Sequence, residues 1–329
     1  MKYRLTDETI EKDGFTLHRI QATKDFADVH KGDLGGFVES ENNLSNKGNA
    51  WVYDDAKVYG NAQVWCDAQI RDNAEIYGNA WVWDKARVCD NARVHRNARI
   101  CDNAKVYGNA GVFGEAQVFG NAKVYDNAAV YGNAQIYDSA IVFDGAKVYG
   151  RTDVYDNARV FGAARVCDNA WVFGDAWVCG IARVWDESRV YENARVFADA
   201  KVYDNAQVYG NAKVRGNAQV YGDALVYGNA KVGGNTKVYD SAKVYGDAQV
   251  WDKARAYGKA KVYGDALLYD EAKVCDNAEV CGYAEVYGVA WVYGEARVFD
   301  EAQVYGDAWV FGNAKVYDNM KICGDVHCN

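Results

Sequence analysis

Few side chains in this chain of 329 residues could carry out acid–base or metal chemistry. There are four histidines: His18, His30, His95 and His327. A general base must lie within hydrogen-bond reach of the reacting atom, in a cleft that excludes water. A catalytic zinc site needs about three convergent histidines. Only His95 lies in the regular part of the sequence, so we predict no catalytic residue, no metal site and no cofactor.

The regular part is a hexad that repeats 46 times without a break from Asn49 to Gly324. Its consensus is Asn/Asp–Ala–x–Val–Tyr–Gly/Asp, and residues 205–210 form one copy. The second residue is Ala in 42 copies and the fourth is Val in 39. There is no proline. Self-similarity at a short fixed period predicts one stack of repeats rather than two globular domains.

Positions two and four of the hexad predict a short β-strand with one buried side, because residues two apart in a strand point the same way. Position three is Lys or Arg in 23 copies. Burying those cations would cost several kcal/mol each, so Ala and Val must form the core. Positions six and one are rich in Gly, Asn and Asp, which tolerate left-handed backbone and therefore predict a corner.

Either three hexads or two could close one coil of such a β-solenoid. Asp at position six recurs three hexads later in nine pairs and two hexads later in six. Trp65/Trp83 and Trp291/Trp309 are also three hexads apart, whereas Cys89/Cys101 are two hexads apart. We favour three hexads. At about 4.8 Å per coil, about 16 triangular 18-residue coils would form a rod of roughly 75–80 Å.

Three segments are expected along the chain. Residues 1–36 lack the hexad, and their alternating apolar and polar residues around Asp13-Gly14 predict a small N-terminal β cap. Residues 37–324 form the hexapeptide-repeat β-helix, if Val38 and Leu44 occupy the alanine position of two degenerate hexads. Residues 325–329 are a C-terminal tail. Larger side chains there and at Met320 would plug the last coil, and end packing explains the Cys323, His327 and Cys328 cluster better than zinc does.

Position five is aromatic in 35 of the 46 hexads. His95 stands at this position, and we interpret it as a surface substitute for Tyr. Seven cysteines stand there too, and no neighbouring base would activate them as nucleophiles. They are Cys89, Cys101, Cys167, Cys179, Cys275, Cys281 and Cys323.

Composition limits the partners and the compartment. The net charge is −9 and the pI is near 5.1, whereas proteins that bind nucleic-acid backbones concentrate positive charge. No stretch has the length and apolarity of a membrane span or a signal peptide. Nine cysteines without a secretion signal indicate free thiols in a reducing compartment. We expect a cytoplasmic protein that binds neither membranes nor nucleic acid.

The pattern from Val130 to Gln135, Val-Tyr-Gly-Asn-Ala-Gln, resembles the repeat of the hexapeptide left-handed parallel β-helix superfamily. Tyr3-Arg4-Leu5, Gly35-Gly36-Phe37-Val38 and Trp51-Val52-Tyr53-Asp54 look like the N-terminal region of bacterial and phage YdcK-like proteins. Those are often labelled transferases or polymer-forming proteins. The resemblance alone implies left-handed winding. It also implies an acyltransferase with a general-base His beside a loop that interrupts the coils, but no loop interrupts these hexads.

The aromatic fifth position departs from that family, where a small or acidic residue is usual. Ladders of rings beside Lys and Arg would stabilise neighbouring coils, and long aromatic stripes also exceed what a monomer usually exposes. They predict a binding surface for a glycan, a protein or another copy of the chain. Its candidate residues are Trp65, Trp83, Tyr125, Tyr203, Tyr209, Tyr221, Tyr245, Trp251, Trp291 and Trp309.

Three functions fit these observations. The first is a non-catalytic structural or interaction rod of bacterial or phage origin that associates through its faces or ends. The second is an acyl-CoA-dependent acyltransferase, and the third an inhibitor that imitates a polyanion with its corner carboxylates. The cations on the faces argue against the third function.

Overall fold

The computed structural model of the chain describes residues 1–324 and the backbone of residues 327–328. The chain forms two compact units, residues 1–163 and 164–329. Both units consist of parallel β-solenoid coils, and the first also carries the N-terminal cap. The predicted all-β solenoid of about 16 coils is confirmed, while its left-handed winding stays a prediction.

The cap is a hairpin that continues into the first coil. Strands β1 (Tyr3–Lys12) and β2 (Phe15–Ala22) pair antiparallel around Asp13 and Gly14, whose φ angles are 51° and 84°. Strand β3 (Leu34–Val38) pairs antiparallel with β2 and parallel with the solenoid strand Lys57–Val58. The expected boundary between residues 36 and 37 therefore falls inside a strand that serves both cap and solenoid.

The first coil is longer than expected. Val38 pairs with Val58 and Leu44 with Val64, so both stand at the valine position, and their assignment to the alanine position was wrong. Trp51, by contrast, pairs with Gln69, which stands three hexads later. The first coil holds its extra residues between Leu44 and Trp51, after a 3-10 turn at Glu41–Asn43.

Every hexad from residue 49 to residue 324 contributes one strand at positions three and four. These strands begin with Trp51–Val52 and continue through Lys315–Val316, and most are two residues long. The longer solenoid strands are Glu75–Gly78, Arg93–Arg96, Gln303–Tyr305 and Lys321–Cys323.

Within each unit, strands pair in parallel with the strand three hexads later. Gln69, Arg87 and Lys105 are successive partners in one sheet, and Arg195, Lys213 and Lys231 in another. Three hexads therefore close one coil, and each coil adds one strand to each of three sheets.

The core contains the alanines and valines of positions two and four, as predicted. Nearly all are fully buried from Ala50 to Val310. Three alanine positions hold hydroxyl residues instead. Thr152 donates to the Tyr149 carbonyl at 2.8 Å, Ser188 donates to the Trp185 carbonyl at 2.7 Å, and Thr236 donates to a backbone carbonyl in the same way. Each hydroxyl is thus satisfied by the residue three positions earlier, so the polar substitution leaves no unpaired donor in the core.

The predicted C-terminal plug falls mainly outside the described residues. Met320 is 40% exposed, so it does not close the core. The backbone of His327–Cys328 pairs in parallel with Trp309–Val310. The other residues of the 325–329 segment, and the side chains of residues 327 and 328, lie outside the described part.

Candidate functional site

The fifth hexad position builds ladders of parallel rings. Tyr203 lies between Trp185 and Tyr221, with centroid distances of 4.5 and 4.8 Å and interplanar angles of 6° and 4°. Equivalent side chains in parallel, in-register strands are one strand spacing apart, about 4.8 Å, which suits stacked rings. The offset or parallel stacking of each pair contributes about 0.5–1.5 kcal/mol beyond burial. The ladders therefore hold successive coils in register.

The five predicted tyrosines all lie inside these ladders, with a ring stacked on each face. They are Tyr125, Tyr203, Tyr209, Tyr221 and Tyr245. A sugar ring or planar ligand normally stacks on an open aromatic face. Here only the ring edges and the phenolic hydroxyls face solvent, so a partner of these tyrosines would contact hydroxyl edges.

The predicted tryptophans make different contacts. Trp65 stacks on Trp81 of position three, with centroids 5.6 Å apart, and Trp83 meets Trp81 edge-on at 6.4 Å. Trp291 stacks on Trp309 at 5.9 Å, and the Lys273 ammonium lies 4.1 Å from the Trp291 ring centroid. Trp65 and Trp309 are each 42% exposed, which makes them more accessible than the tyrosines.

Trp251 fills a gap that glycine leaves in its ladder. Gly233 stands at position five one coil earlier, and a Cβ there would collide with the Trp251 ring. The guanidinium of Arg215, one coil further back, lies 4.6 Å from the Trp251 ring centroid. One face of this indole is thus covered by a cation. Whether any of these aromatic residues binds a partner stays a prediction.

Burial of the stacked rings makes their hydroxyls weaker acids. Desolvation raises the pKa of Tyr137, Tyr221 and Tyr269 to about 12, and neighbouring carboxylates or hydroxyls add to the effect. These hydroxyls stay protonated at neutral pH, so they can both donate and accept hydrogen bonds.

His95 is one rung of an aromatic ladder. Its ring lies parallel to Tyr77 and Phe113, with centroids 4.7 and 5.0 Å away. Desolvation lowers the pKa of His95, and the charges of Arg96 and Arg93 lower it further. A neutral imidazole between two rings has the geometry expected for a substitute of Tyr.

The other histidines with described side chains lie in the cap. His18 Nδ1 is 3.2 Å from the Thr6 carbonyl, and His30 Nδ1 is 3.8 Å from an oxygen of Asp33. Among the described residues, the two groups of three potential metal ligands contain no histidine. They are Asp72 with Cys89 and Asp90, and Asp84 with Cys101 and Asp102.

The thiols in these two groups are poor nucleophiles. Burial, followed by the carboxylates around each thiol, raises the pKa of Cys89 to about 11 and that of Cys101 to about 12. Nucleophilic cysteines need the opposite, an electropositive surrounding that favours the thiolate. These cysteines therefore stay protonated at neutral pH.

The corners contain a ladder that the sequence did not reveal. The sixth residue of every hexad from Asp54 to Gly324 has φ between 52° and 78°. Where that residue is Asp, its carboxylate often accepts a hydrogen bond from the corner N–H one coil later. Asp72 N donates to Asp54 Oδ2 at 3.1 Å, and Asp90 N donates to Asp72 Oδ2 at 3.0 Å. Sequence reasoning explained Asp here only by its tolerance of left-handed backbone, because a bond between coils leaves no separate sequence signal.

Asn at position one forms a second corner ladder. The Asn61 amide donates to Asn79 at 3.1 Å, and Asn79 donates to Asn97 at 3.0 Å. Side-chain amides stacked in this way pair along the axis, as they do in cross-β structures.

Among the described residues, each unit has a shallow groove that is lined by several cations of the solenoid face. The groove of the first unit has a volume of about 310 Å³ and is lined by Lys85, Arg87, Asn103, Lys105, Asn121 and Lys123. The groove of the second unit has a volume of about 760 Å³. Its lining includes Lys243, Lys261, Glu279, Arg297 and Lys315. Neither lining contains a histidine or a cysteine, so neither offers the general base or nucleophile of an acyl transfer.

In the larger groove the charges partly neutralise one another. Lys261 Nζ lies 2.8 Å from one oxygen of Glu279, and Arg297 Nε lies 3.6 Å from the other. Both cations lower the pKa of Glu279, and the hydrogen bond from Lys261 has the largest effect.

Across the described residues, no helix has the length and apolarity to cross a bilayer.

Comparisons with known proteins agree with this architecture. A model of the YdcK β-solenoid repeat matches residues 164–180 and 218–234. The "Uncharacterized acetyltransferase YdcK" of Escherichia coli (strain K12) is 39% identical over 61 residues, which are 16% of this chain and 19% of that protein. The chain thus matches about a fifth of the length of this curated relative. The parallel hexad coils show a β-solenoid repeat protein, and the repeat match and the partial similarity are consistent with a YdcK-like repeat.

Proposed function

We propose that this chain is a non-catalytic structural or interaction solenoid of bacterial or phage origin that works in the cytoplasm. The observation that carries the proposal is the unbroken run of hexads from residue 49 to residue 324. Function in solenoids is commonly placed on inserted loops or on extended faces. With no inserted loop in the array, the faces and corners are the surfaces left for function.

Those surfaces suit the binding of a macromolecule better than the turnover of a small molecule. The ladders present hydroxyl edges in rows, and position three presents columns of lysine and arginine beside them. Such a surface can make many weak polar contacts with a protein or an acidic glycan. Neither groove described above is the water-poor cleft that acid–base catalysis requires.

The second candidate is an acyl-CoA-dependent acyltransferase, which the name of the Escherichia coli relative favours. The larger groove, with Lys243, Lys261, Arg297 and Lys315, could attract the phosphates of such a donor. Because the similarity covers 16% of this chain, the relative's activity is only an alternative here.

Acetyl-CoA distinguishes the two candidates. We expect neither an increase in melting temperature with acetyl-CoA nor thiol release above the protein-free rate with a panel of amine and hydroxyl acceptors. Two variants locate any activity that does appear. His95→Tyr keeps the aromatic ladder while removing the imidazole, and Lys261→Gln/Arg297→Gln removes two cations of the larger groove. Turnover that either variant abolishes would replace the proposal with the acyltransferase.

A further inference from the structure

We infer that the acidic corner of one copy, formed by Asp54, Asp72 and Asp90, docks on the basic groove of a second copy. The basic groove is the 310 Å³ groove lined by Lys85, Arg87, Asn103, Lys105, Asn121 and Lys123. The docking makes a second copy of the chain the partner of the proposed interaction solenoid, and so it rests on that proposed function.

The basic groove lacks a counter-charge of its own. Four of its six lining residues are cations and none is acidic. Arg87, Lys105 and Lys123 follow one another on successive coils of one sheet. Within the described residues, none of the four cations forms an ion pair, although other solenoid cations do, such as Lys253 with Glu271. Like charges stacked about 4.8 Å apart repel one another, and an acidic partner would relieve that repulsion.

The acidic corner has the complementary charge, and one oxygen of each carboxylate is held by the solenoid itself. Asp54, Asp72 and Asp90 are exposed and lie on three successive coils. In each, Oδ2 accepts a hydrogen bond from the corner N–H of the next coil, with distances of 3.1, 3.0 and 2.8 Å. Within the described residues, no hydrogen bond or ion pair involves the Oδ1 oxygens of these three carboxylates. Because the hydrogen bonds fix the carboxylates in place, little side-chain entropy is lost when a cation binds them.

Matching periods favour a second copy over an unrelated polyanion. Both ladders advance by one coil per residue, so three carboxylates of one copy can face three cations of another without strain. Phosphates or sulfates on a flexible polymer have no reason to follow the coil spacing. The net charge of −9 does not prevent the contact near 0.1 M salt, where the Debye length of about 10 Å confines the electrostatic interaction to the facing ladders.

The two docking surfaces differ, so after one contact forms the first copy retains an unused groove and the second an unused corner. Such a heterologous contact extends into rows unless a rotation closes it. We therefore expect a weak, concentration-dependent assembly rather than a fixed dimer.

Sedimentation velocity of the full chain tests this docking. At about 0.1 M salt we expect species larger than the monomer to grow with protein concentration. At about 1 M salt, where the Debye length falls to about 3 Å, we expect the apparent association to weaken by about tenfold or more.

Two triple variants remove one surface each. Arg87→Gln/Lys105→Gln/Lys123→Gln neutralises the groove with a residue native at position three, as at Gln69 and Gln117. Asp54→Asn/Asp72→Asn/Asp90→Asn neutralises the corner with a residue that tolerates left-handed backbone. Each variant should be monomeric alone. Mixed in equal amounts, they retain one working contact and should form dimers but nothing larger.

A matched control neutralises three exposed lysines outside the groove, Lys31, Lys47 and Lys147, and should assemble like the unmodified chain. Assembly that persists in either triple variant would overturn the docking, as would a chain that stays monomeric at every salt concentration. Retention of a monomeric chain on poly-glutamate through the three groove cations would instead assign the groove to another polyanion. Acetyl transfer in the same preparation would contradict the proposed function itself, independently of the assembly result.

Discussion

At the scale of single residues, the sixth position of the hexad decides whether a corner can form. All 46 sixth residues are left-handed, and most are Gly or Asp. Glycine avoids the Cβ clash of this conformation. Aspartate tolerates the conformation and adds the hydrogen bond to the next coil. Arg96 and Ala198 have φ angles of 62° and 60° without either advantage, so the surrounding coils must impose their conformation.

Asp72 allows the combined contribution of the hydrogen bond and the left-handed backbone preference to be measured. Asp72→Ala removes the acceptor of Asp90 N and places a residue that disfavours φ of 57° at the corner. We expect the free energy of unfolding to fall by about 1–2 kcal/mol. Asp72→Asn keeps an acceptor oxygen and the tolerance of left-handed backbone, so it should cost much less. Thermal unfolding followed by circular dichroism measures the loss in each variant, and equal losses would show that neither the corner bond nor the left-handed preference contributes to stability.

At the scale of the element, the aromatic ladder is the feature with the clearest pH signature. Desolvation raises the pKa of Tyr137, Tyr221 and Tyr269 from 10.0 to about 12. A group whose pKa is higher in the folded state contributes stability that is complete below its unfolded pKa and is lost as pH rises toward the folded value. Ladder tyrosines therefore make the fold sensitive to alkali.

We expect the melting temperature to fall steeply between pH 10 and pH 12. The ultraviolet absorbance of phenolate should rise later in the native chain than in the chain unfolded in urea, where tyrosine titrates near its ordinary pKa of about 10. Titration of native and unfolded chains side by side measures the difference. Coincident titration curves would contradict the stacking of these rings against one another.

The ladders and the coil could be predicted from the sequence to different degrees. The sequence predicted which side of each strand faces the core, because burial of the cations at position three would have been too costly. The interval of three hexads was only favoured, since every hexad resembles its neighbours. The longer first coil and the Trp65–Trp81 stack could not be predicted. The longer coil depends on the residues that follow the 3-10 turn at Glu41–Asn43. The tryptophan stack joins a ring of position five to a ring of position three.

The candidate surface shows the same limit. The hexad position of His95 identified it as a substitute for Tyr, and its parallel contacts with Tyr77 and Phe113 agree. The sequence could not show that Tyr125 or Tyr203 has both ring faces covered, because stacking depends on the register between coils. The unpaired cations of the basic groove likewise depend on which residues the coils bring together.

At the scale of the whole molecule, the equivalence of coils predicts which deletions are tolerated. Removing residues 205–222 takes out one complete coil, and Tyr203 then stacks on Tyr239 of the same column. Solenoid stability is roughly a sum over repeats and their neighbours, so we expect a folded chain with a slightly lower melting temperature.

A deletion of residues 205–219 is the matched control. It removes fewer residues but shifts the hexad phase by half a hexad, which turns aromatic and corner residues toward the core. We expect loss of cooperative unfolding in the second unit, measured by circular dichroism and limited proteolysis. Equal stability of the two deletions would show that the hexad phase does not determine the fold.

Among the described residues, the cap makes contacts with the first coils that differ from those between one hexad and the next. Arg19 pairs with Asp55 at 3.2 Å, Lys12 with Glu75 at 2.8 Å, and the Tyr59 hydroxyl donates to Asp13 at 2.8 Å. Elsewhere, a strand that slips by one hexad still places Ala and Val inward, so misaligned windings cost little energy. The N-terminal hairpin therefore fixes the register in which the first hexads form their coils. During synthesis the hairpin leaves the ribosome before the hexads and can template each later coil in turn.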